Sequence, residues 1–449
     1  MESLFSFFEF VEEFVWAYLG VPAVFALGIY LSIKSRFFQI HAFPSVIRTF
    51  IGFFGQAAST TGVHPLKAFF ACIGGCVGVG NIVGICTAVQ IGGPGALFWI
   101  WLTAILGMIV KYAEVYLGVK YRISDGRGGF CGGPMYFIQR VTSKRWVPLL
   151  VCFLLCFYGV EVYQFSVITE SLSSNFDINR TFVVISLLLL VIFAGSGGVK
   201  RVGAISSAII PVFFFVYASM GIWVLLDHLN EIPAVLSNVM HTAFNGHAAI
   251  GGFIGSTLTV AISQGVRRGC YTGDVGVGYA SVIHSESSST SAEKQASLVI
   301  FDIFVDTFLI CTTSLMVILT TGVWNQPMEA GLLVQTALSS YFPFMNYFMP
   351  AFLFILGYST IIAYFCVGLR SAEFISPNWG RKIYYCYTAL AMISCLFVNS
   401  SQAQILMAIA GGVLLVINSW GIFMLRHEIS FQLNEEKPIE DLQLAIVME

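Results

Sequence analysis

The chain has 449 residues, 57% of them hydrophobic and 10% charged, with a formal net charge of -2; its mean hydropathy is +0.83. An ordinary soluble domain carries about 45–50% apolar and about 25% charged residues, so this composition places the chain in a bilayer. The near-neutral balance argues against a nucleic-acid partner.

The N-terminal stretch MESLFSFFEFVEEF lacks the positive region of a secretory signal, and no cleaved peptide is expected there. Apolar runs able to cross a hydrocarbon core of about 30 Å begin near residues 14, 66, 95, 147, 181, 203, 251, 297, 346, 383 and 403. They predict an all-α polytopic protein with eleven spans. The segment before the first span holds Glu2, Glu9, Glu12 and Glu13 and no basic residue, whereas the next connection holds Lys34, Arg36, Arg48 and Lys67. Basic connections stay in the cytoplasm, which predicts the N-terminus outside and the C-terminus inside. Of 22 basic residues, 18 then fall inside and Arg180 alone outside, with Lys111, Arg267 and Arg268 in or near spans. A miscounted helix would scramble that segregation.

Set the first span aside and ten remain, five in 66–226 and five in 251–425, with an N-terminal helix and basic connection in 1–65, an outer connection in 227–250 and a tail in 426–449. Five is odd, so consecutive sets of five run oppositely through the membrane, as in an inverted repeat. The first helix of each set carries an interruption at a corresponding place: GGCVGVGNIVG at residues 74–84 and SQGVRRGCYTGDVGVG at 263–278. Gly-broken hydrophobic helices paired in this way point to a transporter's binding site.

An unwound backbone in lipid persists only where it lines a cavity or meets a ligand. A half-helix N-terminus offers N–H groups to a substrate carboxylate, and freed carbonyls offer oxygens to a cation. Gly75, Gly78, Gly80 and Asn81 suit that task, glycine by adopting positive φ and admitting close approach. The competing reading is that these glycines only let helices pack closely. A nucleotide loop would need a strand before Gly78-x-Gly80 in a soluble unit.

Charges inside spans cost about 2.5–3.5 kcal/mol each at a helix centre and need partners. Lys111 and Glu114 sit i,i+3 in the third span, and Asp302 and Asp306 i,i+4 in the eighth, at similar depth. They read as an ion-pair network, with a proton relay as the alternative. Arg267 and Arg268 adjoin the second break, within reach of carbonyl ends or of Asp274. Glu161 and Gln164 share one face of the fourth span and line either the cavity or its outer mouth. Ser359 and Thr360 in GYSTIIAYF could simply bond their own i-4 carbonyls. The 11 cysteines lie mostly in apolar runs with no C-x-x-C; Cys72/Cys76 and Cys152/Cys156 are i,i+4 pairs, but no histidine completes a metal-ligand pattern, and they read as small buried hydrophobes. The seven histidines are scattered, which disfavours a polytopic enzyme, and no appended soluble domain supports a sensor.

The motifs GGCVGVGNIVG, IGGPGALFWIWLTAILGMIVKYAEVYLGVKYR, GGPMYFI, GVRRG, VDTFLICTT and YSTIIAY resemble those of the alanine or glycine:cation symporters of the amino acid–polyamine–organocation superfamily. The resemblance implies a leucine-transporter-type fold of five plus five helices with one extra N-terminal helix. It also implies symport of a small neutral amino acid, such as alanine, glycine or D-alanine, with a sodium ion, in the inner membrane of a prokaryote. No organic cofactor is implied, and a monomer would suffice among the lipids. By position, Gly78, Val79, Gly80 and Asn81 would hold the substrate's carboxylate or ammonium, with Gln164, Gln264, Gly265 and Tyr364 completing the pocket. Ser359 and Thr360 look like the hydroxyl pair that joins first-break carbonyls, Gly75 among them, around sodium. Two departures stand near this pocket. Gly273 and Asp274 replace the family's asparagine and glutamate, and Tyr364 replaces a common tryptophan. They leave open a proton-coupled or exchanging carrier that uses Asp274, Asp306 or Glu161.

Overall fold

A computed structural model of the chain describes residues 2–56, 61–126, 128–245 and 258–433. The GHAAIGG stretch at 246–252, the acidic tail from 434 and the basic residues Arg127 and Lys437 lie outside the described residues. In hydrocarbon a backbone must satisfy its N–H and C=O groups internally, in a helix or a closed barrel, and this chain does so in helices almost throughout its described residues. The one ladder among the described residues pairs Ile123–Ser124 with Phe130–Cys131.

In chain order the elements are α1 (Phe5–Lys34), α2 (Phe43–Gly55), α3 (Pro65–Cys76) and α4 (Val79–Gly92), α5 (Ala96–Lys120), α6 (Pro134–Val141), α7 (Trp146–Phe176), α8 (Arg180–Gly195), α9 (Gly198–Asp227), α10 (Ile232–Asn245), α11 (Leu258–Thr272), α12 (Tyr279–Ser285), α13 (Ala292–Thr320), α14 (Ala330–Ser339), α15 (Met345–Ile375), α16 (Gly380–Ile393) and α17 (Ser400–Met424). Among the described residues, α1, α5, α7, α9, α13, α15 and α17 are long and apolar enough to cross a membrane, and α3 with α4 makes an eighth if that bent pair is one span. The other three predicted spans fall on α8, on α11 with α12, and on α16, all shorter. Helix already begins at Glu2, ahead of the start expected near residue 14. α2, α6, α10 and α14 lie in stretches read from sequence as connections.

Small residues set the packing at the centre. A Cβ at Gly107 of α5 would meet Val275 at 2.6 Å and one at Gly118 would meet Ser281 at 2.7 Å. From the other side, a Cβ at Gly265 would meet Trp99 Cβ at 2.6 Å, and one at Gly269 would meet Thr103 at 3.2 Å. GVRRG is thus a small-xxx-small face that brings α11 against α5, the usual device where lipid gives no hydrophobic drive. That contact places the second break beside the charged middle of α5.

Candidate functional site

Both interrupted helices are broken where the glycines stand. α3 and α4 meet at Val77–Gly78 with a bend of 53°. α11 ends at Thr272 and α12 starts at Tyr279, so the second break is GDVGVG at 273–278 rather than the preceding GVRRG. The two breaks use glycine differently. At the second, Gly276 and Gly278 have φ of 73° and 105°, and Asp274 stands at 49°, the left-handed region that favours glycine. At the first, Gly78 is extended at φ -140°, ψ -158°, and no residue of 74–84 has positive φ. The expectation of positive φ there is corrected: Gly78 is needed for its missing side chain. A Cβ on it would lie 2.4 Å from Thr360 Oγ1 and 2.5 Å from Gln164 Oε1.

Four helices converge on this break. Val79 N–H donates to Gln164 Oε1 at 3.2 Å, and Gly78 N–H donates to Asn81 Oδ1 at 2.9 Å. Asn81 Nδ2 donates in turn to Asp306 Oδ1 and to Cys311 Sγ, and Ser314 Oγ donates to the Asn81 carbonyl at 2.8 Å. Asp306 stands in Phe304–Cys311, a π-helical stretch of α13; such stretches recur at functional places. Ser359 and Thr360 both donate to the Gly74 carbonyl, at 2.9 and 3.2 Å, while also touching their own Leu356 carbonyl at 2.8 and 3.3 Å. The i-4 bonding weighed from sequence is made by Thr360, while Ser359 bonds at i-3, and both coexist with a bridge to the first broken helix. The carbonyl is that of Gly74 rather than Gly75, whose missing Cβ instead makes room for the Tyr279 hydroxyl.

Glu161 interrupts α7 at φ 51°, 1% exposed, beside the side chains of Gln164 and Tyr271. It faces the interior rather than an outer mouth. Its Oε2, the Tyr271 hydroxyl and Gln264 Oε1 are buried with no hydrogen-bond partner among the described residues. Gly265, by contrast, is taken up by the α5 contact, and Gln264 packs beside Gly92 at the far end of α4, so both lie away from the break.

At the second break, Asp274 Oδ1 accepts from the Tyr364 hydroxyl at 2.9 Å, so the two departures from the family pattern meet each other. The Tyr364 ring stacks on Tyr279, 4.2 Å between centroids, and Tyr279 donates to the carbonyls of Ala71 and Cys72 at 2.9 and 3.2 Å. Neither arginine reaches Asp274. Arg267 pairs with Glu12 of α1 at 2.6 Å, and Arg268 is buried with Nε unpartnered.

The span charges also separate. Lys111 binds Asp302 at 2.6 Å, both side chains fully buried, and donates to the Gly273 carbonyl at 2.9 Å and Cys76 Sγ at 3.2 Å. One ammonium thereby ties α5 to α13 and to both breaks. Cys72, Cys76 and Asp302 lie close enough together to hold a metal, but the Lys111 ammonium fills that place. Glu114 is no partner of Lys111; it accepts from Gly278 N at 3.1 Å and Ser281 N at 3.3 Å. Those are the free donors at the start of α12, and a carboxylate is the favoured group at a helix N-terminus. Sequence reasoning missed Tyr279, Cys311 and Ser314. Of these, Tyr279 had a signal in directly following a break.

The fold that brings two broken helices together at midlength has counterparts among solved structures. A sodium-coupled sialic acid symporter of known structure superposes with a TM-score of 0.59 at 12% identity, over 90% of this chain and 86% of that one, which shows the leucine-transporter-type fold. An uncharacterised transporter of Haemophilus influenzae is 34% identical over 73% of each chain. The sodium/alanine symporter AgcS of Methanococcus maripaludis is 27% identical over 83% of this chain and 84% of its own. The family model described as the sodium:alanine symporter family matches residues 1–437. The chain belongs to the sodium:alanine symporter family of membrane transporters.

Proposed function

We propose that the protein takes up small neutral amino acids, alanine and glycine among them, by symport with sodium across a prokaryotic inner membrane. The reading keeps the sequence-derived topology of eleven crossings with the N-terminus outside, and the inverted halves 66–226 and 251–425. The observation that carries it is the convergence of Ser359 and Thr360 on the Gly74 carbonyl. Two hydroxyls and a carbonyl freed near a helix end make an oxygen cluster at which a bare cation can replace the hydroxyl protons' bonds.

The anion end of the substrate fits next to this cluster, at the α4 side of the same break. Gln164 Oε1 occupies the Val79 N–H, the position a substrate carboxylate would take at the start of α4, with charge favoured there by the helix dipole. Asn81 and the unpartnered acceptor of Glu161 serve the ammonium. Sodium and substrate then order the same backbone, so each raises the affinity for the other. Alternation of access follows from rocking one half against the other around this fixed site.

The test is uptake of labelled alanine and glycine into proteoliposomes under an imposed sodium gradient, a proton gradient, or neither. Accumulation that requires sodium is expected. Accumulation under a proton gradient alone would move the coupling to Glu161, which is buried with an unpartnered oxygen, and would favour the proton-coupled carrier. No accumulation of either amino acid under any gradient would refute the substrate assignment.

A further inference from the structure

One end of the bundle is sealed by polar contacts that the central site does not use. The loop after α12 is held by Arg122, whose guanidinium donates to the carbonyls of Ser287 and Ser289 at 2.6 and 2.7 Å, and by a parallel bridge between Val63 and Ser287. Within that loop Glu286 meets Arg370 at 2.7 Å. Arg370 also binds Glu373 at 3.2 Å, and Glu373 meets Arg381 at 3.1 Å. Beside these groups lies a cavity of about 370 Å³, walled by Glu286, Arg370 and Glu373 on one side and by Cys131, Tyr136 and Gln139 on the other. Small-molecule sites begin near 300 Å³, so the space holds an amino acid.

We propose that this cavity is a second binding site for an amino acid zwitterion, separate from the helix breaks; the inference rests on the amino-acid reading above. The argument is one of charge matching. The Glu286 side chain is 8% exposed and that of Arg370 25%, so opening their pair in favour of an anion alone would strand the glutamate, and in favour of a cation alone would leave the arginine only its longer contact with Glu373. A half-buried charge left without its partner is strongly unfavourable. A zwitterion supplies both at once, its carboxylate to Arg370 and its ammonium to Glu286 or Glu373. The two existing bonds of Arg370 use Nε and Nη1, so Nη2 is the donor that takes up an incoming carboxylate first. Exchange of the pair frees Glu286 from Arg370 and loosens the loop that directly follows α12. Occupancy from this end thereby couples the amino acid concentration on one side of the membrane to release at the second break.

Cys131 reports occupancy directly, because it lines the cavity and is only half-buried. The experiment uses the full chain in detergent with Cys386 and Cys156 changed to serine, and follows N-ethylmaleimide alkylation of Cys131 by intact mass. L-alanine is expected to slow the reaction, by about tenfold at about nine times its dissociation constant. Propionate or ethylamine at equal concentration is expected to have no effect. Arg370→Gln and, independently, the cavity-filling Gln139→Trp are expected to abolish protection. Protection must persist in Asn81→Ala, where the central site is disabled. Uptake of alanine by the wild-type chain is measured alongside. Alanine that is transported without protecting Cys131 would overturn this inference and leave the transport reading standing, whereas alanine that is neither transported nor protective would overturn both. Equal protection by propionate, or protection lost in Asn81→Ala, would also overturn it.

Discussion

Replacing Lys111 by methionine tests how the two breaks are held. The substitution keeps the apolar stem and removes the ammonium, leaving Asp302 with only the thiol donors of Cys72 and Cys76 at 3.5 and 3.7 Å, and the Gly273 carbonyl bare. Breaking a buried ion pair from one side costs about 3–5 kcal/mol, and a stranded carbonyl adds about 1–3 kcal/mol. Against a total stability of about 5–15 kcal/mol, the single variant is expected to unfold far more readily. Removing both charges, in Lys111→Met with Asp302→Leu, leaves only the Gly273 carbonyl unsatisfied, so the double variant should recover about 2 kcal/mol or more over Lys111→Met. The assay is denaturant or thermal unfolding of the detergent-solubilised protein for the wild type, both singles and the double. A double variant whose loss equals the sum of the singles to within about 0.5 kcal/mol would refute the claim that this pair is one interaction.

Gly78→Ala drives a methyl group to 2.4 Å from Thr360 and 2.5 Å from Gln164; overpacking of this kind costs about 1–3 kcal/mol, and uptake should collapse. Gly331→Ala, whose new Cβ meets only Val83 at 3.6 Å, is the control, and equal uptake by both variants would remove the close-approach argument. Ser359→Ala with Thr360→Ala deletes two hydroxyl ligands, each worth about 1.5–3 kcal/mol when bonded to a charge. The sodium concentration for half-maximal uptake should rise by about a hundredfold or more, and an unchanged sodium requirement would count against the site. Tyr364→Phe takes away the donor on Asp274 Oδ1, and should lower stability by about 1–3 kcal/mol and alter competition among amino acids for uptake; identical unfolding and competition profiles would contradict it. At the end of the last helix, burial works against ionisation of Glu428, yet Lys120 and the Tyr121 hydroxyl hold its carboxyl below the ordinary range. A depressed carboxyl stabilises the fold fully above about pH 4 and loses that effect as the pH falls through its lowered folded value. Limited proteolysis within 426–433 should therefore accelerate on acidification and in Glu428→Gln at neutral pH, and cleavage indifferent to both would dismiss the contact.

The composition and the two interrupted helices were legible in the sequence because each is a one-dimensional consequence of the bilayer. Hydrocarbon demands long apolar runs, and a break in one shows as glycines. Which partner each polar group takes was decided by the tertiary structure. Lys111 and Glu114 are three residues apart, yet helix crossings send one to Asp302 and the other to the start of α12. Arg267, adjacent to the second break in sequence, is drawn to Glu12 in the first helix. GVRRG reads like part of a pocket until α5 is packed on it, when its glycines prove to be the surface that lets two helices touch. Gly74 rather than Gly75 faces the Ser359–Thr360 pair because successive residues on a helix point about 100° apart, and only the rotation of α3 against α15 selects between them. Sequence spacing sets which residues share a face of one helix; the packing of helices on each other determines what that face meets.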